Sequence, residues 1–326
     1  MPYAPFLAPE LLALAATQRG VFTAAQARAV GHTQNDLQRL RRHKYIVSVR
    51  RGVYALRETY VVADAAKRHG MQVAALGLVL TPPATLSHES AAGELGLELL
   101  EPDLSLLHVT RADDAGTRVE AGVKHHCAEV PESHLVRREG ELDLTTLART
   151  AIDIAREAVR LECAVAAIDS ALRLGVTRDE LDAVMLRCRS WRGARIASRA
   201  LSLADGRAAN PGESWSRVVL IQQGLPPTGL QVPVYDDDGL IGYADFGWDG
   251  VLGELDGKGK YGIGVDTDPE EAARIVWREK RREDRLRALG NEVVRWTYAE
   301  HRRPQVIAAR VIAAQARAAE RRQWSG

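Results

Sequence analysis

Apolar residues recur along this chain with two periods, and the changes between them divide it into elements. Residues 8–18 (APELLALAATQ) carry the three-to-four spacing of a short helix. Thr23 reads as an N-cap for AAQARAV, and Gly31 as its stop. Thr33 caps QNDLQRLRRHKYI, in which Leu37, Leu40 and Ile46 are spaced to face inward. IVSVRRGVYAL reads as a hairpin, two β-branched runs around Arg50-Arg51-Gly52. Beyond residue 60 come an apolar helix (VADAAKRHGMQVAALGLVL), a break at Pro82-Pro83, the segment TLSHESAAGELGL and the alternating strand LSLLHVT. A further strand is expected around VEAGVKHHCAEV. From 144 to 204 the spacing is helical, with Gly175 a stop and Thr177 a new cap.

The composition shifts at DGRAANPGE (205–213), where Gly, Pro and Asn cluster, and a domain boundary is predicted just before it. NPGESWSRVVLIQQG then predicts a helix from Pro211. Three consecutive strands come next, ending in IGYADFGW and VLGELDG, with a turn at Asp238-Gly239. The helix AARIVWREKRREDRLRALG, the strand NEVVRWTY and an Ala/Arg-rich helix over 305–323 complete the chain. The predicted class is a multidomain α+β or α/β protein. Three helices and a basic hairpin at 1–58 make a winged-helix pattern. Residues 59–204 read as a mixed α/β and then helical middle region, and 205–326 as a third domain.

Composition narrows the function. With 326 residues, 46% hydrophobic and 27% charged, the chain reads as globular with more than one core. A net charge of +1 makes no global case for nucleic acid, so any such case rests on local clustering. Cys127, Cys163 and Cys188 are scattered and unpaired by motif, which argues against a disulfide framework or a structural zinc site based on cysteine. Neither a signal peptide nor a long apolar run is legible, so a cytoplasmic protein with no membrane partner is expected.

Candidate chemistry concentrates in the last third. Asp245 interrupts an apolar strand beside Phe246 and Trp248. Glu254 and Asp256 lie two apart on the next strand and so share a face. A buried carboxylate is costly unless paired or metal-bound. Convergent carboxylates at strand ends repel one another, and Mg²⁺ or Mn²⁺ relieves that while acidifying a bound water. Ordinary turn and edge-strand acids are the bland alternative. Glu213, in the first turn of its helix, is either a contributor to this site or an acid stabilised by the helix dipole. Lys258 and Lys260 come just after the acids and are placed to reach a phosphate or a water, or are solvated turn lysines.

These residues carry a resemblance. Asp245-Phe246, Trp248, Glu254-Leu255-Asp256-Gly257, Arg285, Leu289-Gly290 and Val294-Arg295-Trp296 resemble the Vsr-like branch of the PD-(D/E)xK nucleases, over roughly 205–302. The resemblance implies a restriction-endonuclease-like fold, Asp245 and Glu254 as metal ligands and Glu213 as a helix-borne contributor. Asp256 stands where that superfamily usually has lysine, which leaves Lys258 as the substitute. The stretch GVFTAAQARAVGHTQNDLQRLRRHKYIVSVRRGVYAL resembles the N-terminal domain of AbiEi antitoxins of type IV toxin–antitoxin systems, over roughly 8–57. SHESAAGELGL and TLARTAIDIAR resemble the segment C-terminal to that domain in the same antitoxins. That resemblance implies operator DNA as a partner, and a toxin or other defence-system protein as another.

Arg39, Arg41, Arg42 and Lys44 crowd the third helix, and Arg50 and Arg51 the hairpin turn; they are the expected DNA contacts, against a plain solvated face. A second basic run from Arg274 to Arg287 is expected to contact DNA phosphates, while the interleaved Glu279, Glu283 and Asp284 make part of it a salt-bridged face. His88 in SHESAA lacks the elbow and oxyanion motifs of a hydrolase. His125 and His126 are adjacent in a strand and point to opposite faces, which argues against one site holding both. Two readings result. The first is a Mg²⁺-dependent DNA endonuclease guided by a winged helix. The second is a DNA-binding regulator or antitoxin whose nuclease-like domain is non-catalytic.

Overall fold

The computed structural model describes residues 7–80, 84–112, 116–256 and 268–325. They form a mixed α and β chain of two compact units: residues 1–97 with 102–153, and residues 98–101 with 154–326. No helix of the described residues is long and apolar enough to cross a membrane.

The first unit opens with α1 (Pro9–Thr17), β1 (Val21–Thr23), α2 (Ala24–Ala29), α3 (Gln34–Arg42), β2 (Ile46–Arg50) and β3 (Val53–Leu56). Thr23 and Thr33 cap α2 and α3 through reciprocal bonds with Gln26 and Asp36, as the sequence predicts. Leu37, Leu40 and Ile46 are buried with Leu11, Phe22 and Ala27 in one core. The hairpin turns through Arg51 and Gly52, whose φ of +76° suits glycine. β1 has no counterpart among the predicted elements; its three residues are too few to show a period, yet they complete a sheet of order β1-β3-β2.

The rest of this unit is α4 (Arg57–Val62), α5 (Ala65–Gly77), β4 (Thr85–Leu86), α6 (His88–Leu95), β5 (Leu107–Arg111), β6 (Arg118–Glu120), β7 (Val123–Cys127), β8 (Leu135–Val136) and β9 (Leu144–Thr145). Its strands make a six-stranded sheet, order β6-β7-β5-β4-β9-β8. Up to residue 145 the middle region mixes helices and strands, with β4, β8 and β9 as short strands that the sequence pattern does not mark. Two- and three-residue strands leave no periodic trace. α7 (Leu147–Glu157) comes next, and the division between the units falls within it.

The second unit contains α8 (Leu161–Arg173), α9 (Arg178–Cys188), α10 (Ala194–Leu203), α11 (Pro211–Gln222), β10 (Gly229–Asp236), β11 (Gly239–Trp248), β12 (Val251–Asp256), α12 (Pro269–Ala288), β13 (Glu292–Thr297) and α13 (Pro304–Ser325). Its sheet runs β10-β11-β12-β13, antiparallel except for the parallel β12–β13 pair. Trp215, Leu220, Phe246, Val251, Trp296 and Val311 build its main core, to which Ala166 of α8 belongs.

The loop at 205–213 lies inside this unit instead of separating two domains. The buried Asp169 carboxylate accepts from the Asp205 N–H at 2.7 Å and from Arg217 at 2.6 Å. Arg173 donates to the Ala208 carbonyl at 2.8 Å. Glycine and proline there shape an anchored turn between α10 and α11, which composition alone does not distinguish from a linker.

Candidate functional site

At the N-terminus, burial of Leu37 and Leu40 turns the other side of α3 outward. Arg39, Arg41, Arg42, Lys44 and Arg51 are all exposed. Arg39 also pairs with Asp36 at 2.7 Å, one turn back. Arg50 departs from its predicted role at the hairpin tip. It is half-buried and donates to the Ala121 carbonyl at 3.1 Å, and burial pulls its guanidinium pKa down. The exposed basic surface is thus α3 with Lys44 and Arg51.

In the second unit, register sets a polar row across the four strands. Leu230 pairs with Phe246 and Val232 with Ala244, which brings Gln231 beside Asp245. Phe246 pairs with Gly253 at the end of the β11–β12 ladder, and Asp245 and Glu254 are the next residues on the two strands. Glu254 pairs with Arg295. Directly opposed residues share a sheet face, so Gln231, Asp245, Glu254 and Arg295 form one line. Asp245 and Glu254 are both buried.

Glu213 joins this row from the first turn of α11. Asn210 caps the helix, and its Nδ2 donates to Glu213 Oε1 at 2.6 Å; the Ala209 N–H donates to Oε2 at 2.7 Å. Gln231 Nε2 donates to the same Oε2 at 2.9 Å and lies 3.5 Å from Asp245 Oδ1. One amide thus bridges two carboxylates. Asp245 Oδ2 accepts the Leu255 N–H at 2.8 Å. Glu254 is clasped by two guanidinium groups, Arg282 Nη1 at 2.8 Å and Arg295 Nη2 at 2.9 Å. Asp256, half-buried at the end of β12, shares a strand face with Glu254. Lys258 and Lys260 lie outside the described residues.

The donor set is all carboxylate oxygen, the type a hard divalent cation takes. The spacing is a separate matter: among the described residues, these acids do not form a trio whose ligand atoms all lie within 4.8 Å of one another. Gln231 and the two arginines hold them instead. Part of the basic α12 is also accounted for here, since Arg282 reaches Glu254 and Arg285 takes Asp236 in a two-point grip at 2.6 and 2.5 Å. That grip holds the Asp236 carboxyl below its usual range. These two side chains serve the sheet, where the sequence suggested phosphate contacts along the helix. The exposed Arg274 and Arg281 remain on the outer side.

Sequence reasoning missed Gln231, whose backbone sits at φ +48°, and assigned no role to Arg295. A signal for Arg295 existed in its place between the buried Val294 and Trp296, which marks an inward-paired charge on a core strand.

Residues 9–57 match the family described as transcriptional regulator, AbiEi antitoxin. Two uncharacterized proteins of Mycobacterium tuberculosis, one from strain CDC 1551 / Oshkosh and one from strain ATCC 25618 / H37Rv, are similar over a longer span. Each is 31% identical over 204 residues, 62% of this chain and 70% of the relative. This chain belongs to the same family as these mycobacterial proteins. It carries an AbiEi-antitoxin-type regulator domain at its N-terminus.

Proposed function

We propose that the protein is a DNA-binding transcriptional regulator of the AbiEi antitoxin type. The observation that carries this reading is the exposed basic face of α3, lying inside the segment that matches that regulator family. The element order of α1, β1, α2, α3 and the β2–β3 hairpin supports a winged-helix reading, in which α3 would be the recognition helix. Arg39, Arg41, Arg42 and Lys44 would meet phosphates or base edges, and Arg51 would reach from the turn. A toxin partner and operation in the cytoplasm go with this reading.

The test is binding of the full chain to duplex DNA from its own promoter, measured by fluorescence anisotropy over a range of salt. Arg39→Ala with Arg42→Ala weakens binding and lowers the salt slope by roughly one unit per lost phosphate contact. Binding that is indifferent to these changes removes the α3 assignment, and failure to bind duplex DNA at all removes the reading.

A second reading, a Mg²⁺- or Mn²⁺-dependent endonuclease of PD-(D/E)xK type, is favoured by one observation: buried Asp245 and Glu254 lie on adjacent strands, each one residue beyond the Phe246–Gly253 pair, with Glu213 tied to Asp245 through Gln231. The order α11, β10, β11, β12, α12, β13 agrees with that resemblance. Asp245 and Glu254 would hold the ion, with Glu213 and Asp256 beside them and Lys258 near the phosphate. The ion would supply an acidified water and charge neutralisation at the scissile phosphate. Arg282 would first release Glu254 and pair with the phosphate, whose charge it complements. Nicking of supercoiled plasmid with Mg²⁺ or Mn²⁺, abolished in Asp245→Ala and Glu254→Ala, supports this reading. Specific DNA binding with no cleavage supports the regulator alone.

A further inference from the structure

The first unit holds a cluster that neither reading uses. His88 opens α6, His108 lies on β5 and His126 on β7. All three are buried, at 3%, 7% and 6% exposure. One ring nitrogen from each lies within 4.8 Å of the others. His108 Nδ1 is 3.0 Å from His126 Nε2, and the His88 ring stacks on His126 at 3.8 Å between centroids. The parallel register explains the meeting: Thr110 pairs with His126, and period two puts His108 on the same face as Thr110. His125 falls on the other face, so the adjacent pair does not act together.

The surroundings orient the rings. Glu89 Oε2 lies 3.5 Å from His108 Nε2, so His108 turns its other nitrogen, Nδ1, toward His126. Ser87 Oγ is 3.0 Å from His88 Nδ1, which leaves Nε2 to face the cluster. Ser87 is itself held by the Thr110 hydroxyl at 2.8 Å. This is the carboxylate–histidine arrangement that fixes tautomers around bound metals. His88 also keeps a left-handed φ of +50°, unusual for a non-glycine residue and frequent where a side chain is forced into a functional position.

We propose that His88, His108 and His126 form a binding site for a divalent transition cation of the Zn²⁺ class. Imidazole nitrogen selects zinc-like ions over Mg²⁺ or Ca²⁺. Three nitrogens leave a fourth position for water. Tetrahedral ligands about 2.0 Å from zinc stand about 3.3 Å apart, close to the separation of His108 and His126. Closing on the ion tilts His88 and His126 away from their parallel stack. The ion then ties the start of α6 to β5 and β7.

The full chain, purified without a polyhistidine tag and stripped with chelator, is titrated with Co²⁺. The expected result is one equivalent bound per chain, with a visible absorption band that Zn²⁺ displaces. His108→Ala and His126→Ala each lose the band, Glu89→Gln weakens binding about tenfold, and exposed His43→Ala leaves it unchanged. Binding that survives both histidine changes overturns the proposal, as does failure of the wild type to bind. Where a variant does not fold, zinc-edge X-ray absorption of the wild type decides. Imidazole scattering from two or three histidines supports the site, and an oxygen-only shell overturns it.

Discussion

His301 shows how one buried side chain ties pH to stability. Its ring stacks on Trp215 at 4.3 Å, its Nδ1 lies 3.1 Å from the Tyr298 carbonyl, and its Nε2 lies 2.6 Å from Ser216 Oγ. Nδ1–H donates to the carbonyl, and the serine hydroxyl, which accepts from Trp296 Nε1 at 2.9 Å, lies between His301 Nε2 and the Gly212 carbonyl, the latter at 3.0 Å. Burial disfavours the charged imidazolium and pulls the His301 pKa down from 6.5 to about 4. Between these values the unfolded chain takes up a proton that the folded chain refuses. Stability of the second unit therefore falls as pH drops from 6.5 toward 4, by up to about 3 kcal/mol, and is level in this term above 6.5. All six tryptophans lie in that unit, so denaturant titrations monitored by tryptophan fluorescence read it separately. His301→Gln flattens this part of the pH profile. Ser216→Ala leaves two buried ring nitrogens short of a partner and costs roughly 2–3 kcal/mol at neutral pH.

At the scale of elements, the acid row depends on how closely β12 packs. Gly253 precedes Glu254, and a Cβ there would lie 2.8 Å from Trp296 Cη2 and 3.0 Å from Trp248 Cζ3. Gly253→Ala forces the rings or the strand to shift and costs about 1–3 kcal/mol by overpacking. The shift reaches Glu254 first, so nuclear magnetic resonance of the Arg295 and Arg282 guanidinium groups reports it; unchanged signals would show that the rings absorb the strain. Another element-level test is the α3 cap. Thr33→Ala removes the hydroxyl that accepts from the Asp36 N–H and donates to its carboxylate, leaves the backbone N–H of residue 33 on Asp36, and destabilises the first unit by about 1 kcal/mol. Tryptophan fluorescence is blind to that loss and far-ultraviolet circular dichroism is not.

For the whole molecule, the buried Arg217–Asp169 pair decides what folds with what. Asp169 is fully buried, and burial pushes its carboxyl up while Arg217 pulls it down. Removing one member strands the other charge, so Asp169→Ala costs on the order of 3–5 kcal/mol. The same reasoning applies to fragments. A piece starting at residue 205, where composition suggests a boundary, lacks Asp169 and the core contact of Ala166. It is expected to show no cooperative unfolding transition, whereas the full chain shows one by tryptophan fluorescence. A sharp transition in the 205–326 fragment would place the folding boundary where the composition changes.

Local chemistry made much of this protein legible from its sequence. Caps at Thr23, Thr33 and Thr177 and the inward spacing of Leu37 and Leu40 act over one helical turn. So the helices, the hairpin at Gly52 and the basic face of α3 are set by neighbouring residues alone. Asp245 and Glu254 were conspicuous as charges inside apolar strands. What surrounds them was not, because Arg295 reaches Glu254 through a parallel pairing whose strands are separated by α12. The same holds for His88, His108 and His126, and for Asp169 beneath the 205–213 loop. Register and packing unite side chains far apart along the chain, and no local pattern encodes that union.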